Sequence, residues 1–501
     1  MKGTLIQLLK ETKQKYPEKA AIIHGDKVLS YQELWTRACG LSSYLVENGL
    51  QKGDRVSLLL ENSPEYAIAY YGVLMAGGAA IGLNTATKAR DLANWIQHSG
   101  SKVLIANPKH PELDSVKDSL LGSDILYLLV SDDADSEWHN IVDSEDIKES
   151  IVNFDSDTQL AALIYTSGTT GKPKGVMLSH QNLYENMVSI LEYLKIDDSD
   201  SILNVLPFYY SYGNSVLHTH IAAGATIVLE NSMLYPQKVV QNMAEKKVTG
   251  FSGVPSTYSL LLSRTRLEEF NLTSLRYLTQ AGGPMAPVLI NKVKKILPDV
   301  QFFVMYGQTE ASARLSYLPP ENLEKKSGSI GVPIPGVELE VMDASNSPVG
   351  PGVTGEIYAR GKNIMLGYWD DPESTEKVFY QDWLKTGDLA YKDEDGYLYI
   401  VGRSSEMIKS GAHRISPKDI EEVILALDEV EEVAVVGVED EILGQVIKAV
   451  IVSAPGCQAD KKSIMRYCKS NLANYKLPKQ IEFVDQIPRT ASGKVRRFML
   501  Q

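Results

Sequence analysis

The chain has 501 residues, a length that predicts about two to four domains. Hydrophobic residues make up 44% and charged residues 23%, which excludes disordered, collagen-like and disulfide-scaffold classes. A net charge of −13 argues against a sequence-independent nucleic-acid binder. The 3 cysteines lack metal-type spacing, and no secretory leader or membrane span is predicted. We therefore expect a cytoplasmic protein.

The predicted elements alternate between amphipathic segments and short β-branched runs through the first three hundred residues. Helices are predicted over 31–47 and 236–247, and the apolar stretch 67–83 predicts a buried helix, a glycine turn and a core strand. This alternation is typical of βαβ units with largely parallel sheets. The predicted strands are VSLLL (56–60), KVLIAN (102–107), ILYLLV (125–130), SILNVLP (201–207), ATIVLE (225–230) and VQFFVMYG (300–307).

Two changes of composition divide the rest of the chain. Glycine and proline punctuate short strands from about 327 to 402, which predicts a small β-rich subdomain. Near Arg403 a helical pattern, two strand-like runs and a second helix predict a small α+β domain. We expect an α/β protein. Its N-terminal domain (1–402) has two βα-layered subdomains and a β-barrel-like subdomain, and its C-terminal domain (403–501) is small and mobile. Residues 460–501 hold ten basic and three acidic side chains, so this C-terminal segment is positively charged although the whole chain is negatively charged.

The strongest local motif is YTSGTTGKPKG at 165–175, which follows an apolar run. Its glycines allow backbone N–H groups to converge on an anion, and its hydroxyl and ammonium groups add donors, so the segment predicts polyphosphate binding. It lacks the spacing of a Walker A loop. The sequence GPGVTG at 350–355 matches GxGxxG but follows no strand and precedes no helix, so we predict a turn there.

Three further clusters carry polar residues after apolar segments: MYGQTE (305–310), WLKTGD (383–388) and PRTASGK (488–494). Alone, each fits a turn aspartate or an exposed lysine. Together, with LSYQEL (29–34), GYW (367–369) and the run from KTGD to VGR (385–403), they resemble the adenylate-forming superfamily of acyl-CoA synthetases, peptide-synthetase adenylation domains and luciferases. The resemblance implies an AMP-forming acid–thiol ligase. Such an enzyme activates a fatty or aromatic acid with ATP to acyl-AMP, releases pyrophosphate, and transfers the acyl group to coenzyme A.

The resemblance also implies an ATP site with Mg²⁺. Tyr306 would stack on adenine, Thr309 would contact the α-phosphate, and Glu310 would bind the metal, consistent with its preference for carboxylate oxygen. Asp388 would bind the ribose. The implied catalytic residues are Lys494, Glu310 and Thr166. The implied ATP-binding residues are Ser167, Gly168, Thr169, Thr170, Gly171, Lys174, Gly282, Gly283, Pro284, Tyr306, Gly307, Thr309, Asp388, Ile400 and Arg403.

The acyl pocket is implied around Tyr210, Ser211, Gly253, Ala281 and Gln308. Ser211 stands where α-amino-acid activators hold an aspartate, which disfavours an ammonium-bearing substrate because a buried ammonium needs a partner. Tyr210 stands where many acyl-CoA synthetases have histidine.

Three basic or imidazole side chains near this pocket are ambiguous. Arg314 could meet a polar substrate end, but an exposed loop arginine is the favoured interpretation. His218 and His220 resemble a metal pair, yet packing is the better prediction because no third ligand is evident.

The C-terminal domain is implied to turn about Ser405 and to form a thiol tunnel at Gly411, Ala412 and Arg414. Relatives commonly have glycine at the position of Ala412, and its methyl group would narrow the tunnel. Two acceptors stay open, coenzyme A and the phosphopantetheine arm of a carrier protein, and the basic tail suits either. A nucleotide-binding regulator without catalysis would have lost Lys494, Glu310 or Asp388, and all three are present.

Overall fold

The computed structural model describes residues 3–144, 147, 149, 151–166, 174–410, 413–440, 443–457, 459–489 and 495–501. These residues form helices and strands in four sheets, which confirms the expected α/β class. The helices are α1 (Leu5–Lys15), α2 (Tyr31–Glu47), α3 (Pro64–Met75), α4 (Ala89–Ser99), α5 (Leu113–Ser119), α6 (Glu137–Val142), α7 (His180–Leu194), α8 (Ser211–Ala223), α9 (Pro236–Glu245), α10 (Pro255–Arg264), α11 (Pro287–Ile296), α12 (Pro372–Val378), α13 (Pro417–Leu425) and α14 (Lys461–Asn471).

The strands of the two large sheets come from the first part of the chain. In chain order they are β1 (Ala20–His24), β2 (Lys27–Ser30), β3 (Arg55–Leu59), β4 (Ala79–Gly82), β5 (Ser101–Ala106), β6 (Leu126–Leu129), β7 (Leu160–Thr166), β8 (Lys174–Ser179), β9 (Ser201–Asn204), β10 (Thr226–Leu229), β11 (Gly250–Gly253), β12 (Tyr277–Gln280), β13 (Gln301–Tyr306), β14 (Ser316–Leu318) and β15 (Val332–Pro333).

The remaining strands form the two small sheets, except β18, which joins a large one. They are β16 (Val337–Met342), β17 (Gly355–Gly361), β18 (Gly367–Tyr368), β19 (Phe379–Tyr380), β20 (Trp383–Lys392), β21 (Leu398–Arg403), β22 (Ile408–Ser410), β23 (His413–Ile415), β24 (Val430–Asp440), β25 (Gly444–Ser453) and β26 (Gln480–Phe483).

The two large sheets are parallel at their centres. One has nine strands in the order β15-β14-β13-β12-β11-β9-β10-β1-β2, and the other has seven in the order β18-β8-β7-β4-β3-β5-β6. One apolar cluster contains residues of both sheets and of α1, α2, α3, α7 and α8, so these helices lie between the sheets. Helices α9, α10 and α11 cover the outer face of the nine-stranded sheet, and α4 and α5 cover that of the other. These are the two expected βα-layered subdomains.

Local sequence explains where several of these elements begin. Helix α2 starts at a capping box in which the Ser30 hydroxyl accepts from the Glu33 N–H and the Glu33 carboxylate accepts from the Ser30 N–H. The apolar stretch 67–83 forms buried α3, a turn with φ 77° at Gly77, and core strand β4, as predicted. The described part of the chain contains no helix long and apolar enough to cross a membrane.

The third sheet is antiparallel, with the order β16-β17-β20-β19 and β21 paired to β20. It corresponds to the β-rich subdomain expected at about 327–402. The predicted turn at 350–355 is a turn that leads into β17. The fourth sheet, β23-β22-β25-β24 with β26 on β25, packs with α13 and α14 and forms the small α+β domain.

The C-terminal region contacts strand β21 directly. Ser405 lies in an exposed turn between β21 and β22. The Ser416 hydroxyl donates to the Val401 carbonyl oxygen, and the Lys418 ammonium donates to the Ile400 carbonyl oxygen at 3.0 Å. These contacts hold the start of α13 against the strand that ends at Arg403. The boundary at 402/403 and the hinge at Ser405 stay predictions.

Candidate active site

The parallel strands of the nine-stranded sheet end in a common row. Gly253 pairs with Gln280, and Gln280 pairs with Val304, so β11, β12 and β13 reach the same edge. Because ligands of open α/β sheets bind outside the carboxyl ends of the strands, the residues that follow this row face a natural binding edge. Of the predicted site residues, Ala281 directly follows Gln280, and Tyr306 is the last residue of β13.

Tyr306 forms a polar cluster with buried Asp388 and half-buried Arg403 of the third sheet. Its phenol donates to Asp388 Oδ2 at 2.6 Å, and Arg403 Nε lies 3.0 Å from Asp388 Oδ1. The antiparallel register that pairs Asp388 with Arg403 brings these two side chains together. Burial and the Asp388 charge raise the pKa of Tyr306, so its hydroxyl stays protonated and acts as a donor. The Asp388 charge also raises the pKa of Arg403.

Glu310 lies beside this cluster and accepts a hydrogen bond from the Tyr368 hydroxyl at 2.9 Å. The described residues give Glu310 no ion-pair partner, so one carboxylate oxygen is available to a cation. They also contain no group of three or more His, Cys, Asp or Glu side chains that could hold a metal alone. The site therefore fits Mg²⁺ in its usual form, in which one carboxylate and substrate phosphate oxygens share the ion.

The ends of the predicted phosphate loop are fixed by strand pairing. Thr166 ends β7, Lys174 begins β8, and the two residues are paired. The Lys174 ammonium lies 4.7 Å from the centroid of the Tyr368 ring. Ser167, Gly168, Thr169, Thr170 and Gly171 lie outside the described residues. The described ends thus hold a cation next to the Glu310–Tyr368 pair.

The start of helix α8 connects the nucleotide cluster to the predicted acyl pocket. Ser211 Oγ lies 3.3 Å from Thr309 Oγ1. The Asn84 amide donates to the Tyr210 hydroxyl at 3.2 Å. Burial raises the pKa of Tyr210, and the Arg496 charge opposes that effect, so Arg496 lies within electrostatic reach of the pocket entrance.

A hydroxyl network lines the wall behind Ser211. The Tyr212 hydroxyl lies 2.8 Å from Thr279 Oγ1, which is 2.7 Å from Ser252 Oγ. The Tyr258 hydroxyl donates to the Thr279 carbonyl oxygen at 2.8 Å. Ala281 is buried beside this network. The wall is therefore rigid and has its own polar groups satisfied.

The glycine-rich turn after β12 closes the wall. Gln280 Nε2 donates to the Gly283 carbonyl oxygen at 2.7 Å, and Gly282 has φ 86°, a conformation that favours glycine. Gly282, Gly283 and Pro284 are exposed at this edge, and Gln308 is half-buried. All of these predicted residues lie at the carboxyl edge of the sheet.

The structure contradicts the interpretation of Arg314 as an exposed loop arginine. Its side chain is buried, with 3% exposure, and stacks 4.1 Å from the Tyr212 ring centroid. Ser312 and Ala313 have φ 61° and 149°, and these unusual backbone angles turn the chain inward. Sequence reasoning missed this because residues far apart in the chain create the burial.

His218 and His220 are packed inside the fold, as predicted, and each is hydrogen-bonded to a tyrosine hydroxyl. His218 Nε2 lies 3.0 Å from the Tyr70 hydroxyl, and His220 Nε2 lies 2.7 Å from the Tyr277 hydroxyl. Both histidines are buried inside α8.

Several residues predicted to function in the C-terminal domain lie outside the described part of the chain. Lys494, Gly411 and Ala412, and the side chain of Arg414, lie outside the described residues. Arg489 and Val495 form an antiparallel bridge on either side of the lysine motif. Val495 directly follows Lys494, and Arg496 is the residue within electrostatic reach of Tyr210.

Sequence reasoning missed two side chains that position predicted residues. Tyr368 orients Glu310, and the GYW motif carried that signal although no role was assigned to its tyrosine. Asn84 orients Tyr210 from the loop after β4, and no motif marks it.

Comparison with known proteins identifies the family. Residues 9–369 match the model of the AMP-binding enzyme family, and residues 419–494 match the model of the AMP-binding enzyme C-terminal domain. The chain belongs to this family, and the predicted superfamily is confirmed.

Several relatives that align with nearly the whole chain are CoA ligases. A long-chain-fatty-acid–CoA ligase of Bacillus subtilis (strain 168) is 32% identical over 99% of this chain and 93% of its own. A feruloyl-CoA synthase of an Amycolatopsis species is 34% identical over 96% and 94%. The crystal structure of the anthranilate CoA ligase AuaEII with anthranoyl-AMP aligns with a TM-score of 0.92 at 25% identity, covering 99% of this chain and 96% of that one. These matches confirm the expected class, an AMP-forming acid–thiol ligase.

Proposed function

We propose that this enzyme converts a fatty or aromatic carboxylic acid and ATP into acyl-AMP and pyrophosphate, and then transfers the acyl group to the thiol of coenzyme A, releasing AMP. The observation that carries the proposal is that the predicted nucleotide site and the predicted acyl pocket lie next to each other. The Tyr306–Asp388–Arg403 cluster is suited to a nucleoside, and Thr309, three residues after Tyr306, contacts Ser211 of the predicted acyl pocket. A ligand that spans both sites has the form of an acyl adenylate.

The nucleotide half of the site provides positioning and positive charge. The Tyr306 ring offers a face to adenine, and the Asp388 carboxylate offers acceptor oxygens to the ribose hydroxyls, held in place by Arg403. Lys174 and the loop that it ends are assigned to the phosphates. A carboxylate attacks the α-phosphorus only if charge repulsion is offset, and fixed cations in a preorganised site do this without reorganisation.

Glu310 would hold Mg²⁺, because its carboxylate has an available oxygen and Tyr368 fixes its orientation. The bound ion would supply positive charge next to the phosphate oxygens. The chain's own part is to hold that carboxylate beside Thr309, whose hydroxyl is assigned to the α-phosphate.

Lys494 is assigned to the bond-forming centre, where it would bridge the substrate carboxylate and the α-phosphate. Arg496, two residues further on, acts on the pKa of Tyr210, which supports a lysine motif that reaches the acyl pocket. The C-terminal domain (403–501) would then turn about Ser405 and bring Gly411, Ala412 and Arg414 to the thiol. Ser416 and Lys418 contact β21 through hydrogen bonds, which is compatible with such a movement.

Coenzyme A is the proposed acceptor, and the names of the relatives support it. The basic segment 460–501 would attract the phosphates of coenzyme A or an acidic carrier protein alike, so the acceptor needs a direct test. The cytoplasmic localisation stays a prediction.

The proposal is tested by pyrophosphate release with ATP, Mg²⁺ and a panel of fatty and aromatic acids, with α-amino acids as expected non-substrates. We expect acid-dependent release, formation of acyl-AMP, and acyl-CoA on addition of coenzyme A. A Lys494→Ala variant should lose the adenylation step, whereas Lys469→Ala, on the exposed side of α14, should retain it. Absence of turnover with every acid, or full adenylation by Lys494→Ala, would refute the assignment. A holo carrier protein in place of coenzyme A identifies the acceptor.

A further inference from the structure

Arg314 is a buried cation without an acidic partner in the described part of the chain. Its Nε donates to Met305 Sδ at 3.4 Å, its Nη1 donates to the Ala313 carbonyl oxygen at 3.3 Å, and its guanidinium stacks on Tyr212. All of these acceptors are neutral, and thioether sulfur is a weak one. Because burying an unpaired charge is costly, the absence of a protein carboxylate calls for another anion.

Two other arginines of this chain are each paired with a carboxylate. Arg276 also stacks on a tyrosine, 4.7 Å from the Tyr277 ring centroid, but it lies 2.6 Å from Asp200 Oδ2. Arg403 is paired with Asp388. Arg314 is more deeply buried than Arg276 yet has no such carboxylate.

Arg314 is connected to the predicted acyl pocket through Tyr212. It stacks on Tyr212, the residue after Ser211, whose hydroxyl contacts Thr309. The hydroxyl of Tyr212 reaches Thr279, two residues before Ala281. The guanidinium therefore lies between Tyr212 of α8 and Met305 of β13, and Tyr212 connects it to β12 of the proposed acyl pocket.

The backbone holds Arg314 in this position at a cost. Ser312 and Ala313 both have positive φ, which is unfavourable for residues other than glycine and is found mainly where a function needs it. A Cβ at Gly307 would lie 2.1 Å from the Ala313 carbonyl oxygen and 2.8 Å from the Arg314 Cα, so this turn packs tightly against the YGQTE segment. Asn186 and Asn363 both donate to the Arg314 carbonyl oxygen and lock the turn.

The charge of Arg314 also acts on the surrounding tyrosines. Burial raises the pKa of Tyr193 and Tyr212, and the Arg314 charge is the largest effect in the opposite direction. The positive charge of Arg314 therefore acts on Tyr193 of α7 and Tyr212 of α8, and no carboxylate among the described residues pairs with it.

We propose that Arg314 binds a second carboxylate on the acyl substrate, so that this ligase acts on dicarboxylic acids, one carboxylate being adenylated and the other paired with Arg314. This proposal rests on the function proposed above and names its substrate class. The pairing explains why an unpaired cation is buried beside Tyr212, since the missing counter-ion arrives with the substrate. It also supplies specificity, because a methyl-ended acid leaves the buried guanidinium unpaired.

The test compares acids of equal length that differ only at the distal end: succinate with butanoate, glutarate with pentanoate, adipate with hexanoate, and terephthalate with 4-methylbenzoate. Pyrophosphate release gives kcat and KM for each. We expect at least one diacid to exceed its methyl-ended partner in kcat/KM by about 100-fold, the discrimination typical of a site whose polar group would otherwise be left unpaired.

Variants separate recognition from packing. Arg314→Met should remove the preference by raising KM for the diacid at least about tenfold while the methyl-ended acid is used as well or better, and Arg314→Lys should keep part of the preference. Arg360→Met removes a partly exposed arginine that stacks on Trp383 and pairs with Glu338, and it should leave kcat/KM for both acids unchanged. If Arg314 had only a structural role, the substitution would lower kcat/KM for both acids equally, and the ratio of the two kcat/KM values would not change.

The outcomes are distinguishable. Equal or better use of the methyl-ended acids by the unmodified enzyme, or an unchanged ratio in Arg314→Met, overturns the assignment of Arg314 while the ligase function stands. If no acid in either panel releases pyrophosphate, the ligase function itself is overturned. A diacid preference that Arg314→Met abolishes supports both.

Discussion

The hydroxyl of Tyr306 is expected to contribute to ATP binding through Asp388 and not through the reaction itself. Tyr306→Phe keeps the aromatic face for adenine but removes the donor 2.6 Å from Asp388 Oδ2. Asp388 is 8% exposed, so water replaces the lost donor poorly. A hydrogen bond to a charged acceptor contributes about 2 kcal/mol, which corresponds to about 30-fold in affinity.

The assay is steady-state pyrophosphate release at saturating acid with varied ATP. We expect KM for ATP to rise about 10- to 30-fold, with kcat changed less than about threefold, because the phenol touches no reacting atom. The matched control is Tyr44→Phe, which removes a hydroxyl 2.9 Å from the Glu137 carboxylate, outside the predicted site, and should leave KM for ATP unchanged.

A second nucleotide identifies the route of the effect. If Asp388 binds the ribose, 3′-deoxy-ATP should be a poor substrate for the unmodified enzyme, and the difference between ATP and 3′-deoxy-ATP should shrink in Tyr306→Phe. An unchanged KM for ATP in a folded Tyr306→Phe enzyme, or an equal loss for both nucleotides, would refute the reasoning that links this hydroxyl to the ribose through Asp388.

Three more predictions follow from the geometry. Tyr368→Phe should raise the Mg²⁺ concentration for half-maximal rate about tenfold because Glu310 loses its orienting donor, and a magnesium titration at fixed ATP measures this. Gly307→Ala should lower kcat/KM by about 100-fold, since its Cβ would displace the turn at the Ala313 carbonyl oxygen, whereas Gly350→Ala, with open space around its Cβ, should have no effect. The free energy of unfolding, from urea midpoints at pH 7 and pH 5, should fall on acidification because burial lowers the pKa of three histidines to about 3 or 4: His180, His218 and His220.

The sign of the histidine effect is fixed by which state takes up protons. The unfolded chain binds them below about pH 6.5, and the folded chain does so only near pH 3 to 4, so each histidine costs about 1 kcal/mol per pH unit between these limits. His180 stacks on Phe154, and its ring nitrogens have no hydrogen-bond partner in the described structure, so His180→Phe should flatten the dependence. An unchanged slope in that variant would contradict this origin of acid sensitivity.

Much of the fold could be read from the sequence because the relevant information is local. The predicted helix over 31–47 has those bounds in the structure, since a capping serine and an amphipathic pattern define both its start and its buried face. The six predicted β-branched runs before residue 310 overlap strands β3, β5, β6, β9, β10 and β13, because such runs are also a local signal. The apolar stretch 67–83 was divided correctly because the glycine pair at 77–78 interrupts it.

The residues assigned to the nucleotide could be proposed from the sequence because they occur in short contiguous motifs. The motifs do not show which of their side chains contact one another in the fold. That the Tyr306 hydroxyl meets Asp388, or that Tyr368 orients Glu310, depends on how the third sheet folds over β13. Asn84, with no motif of its own, became visible only through its contact with Tyr210.

The sequence alone determined the α/β class, the order of the elements and the family-typical ATP motifs, since periodicity and contiguous motifs are properties of neighbouring residues. Only the tertiary structure decided the environment of Arg314. Its burial requires Tyr212 from α8 and Met305 from β13 to close around it, and burial of a charge depends on which distant side chains arrive. The same arginine that looked like a surface residue in the sequence is, in the fold, a cation enclosed beside the acyl wall with no protein carboxylate in the described structure to neutralise it.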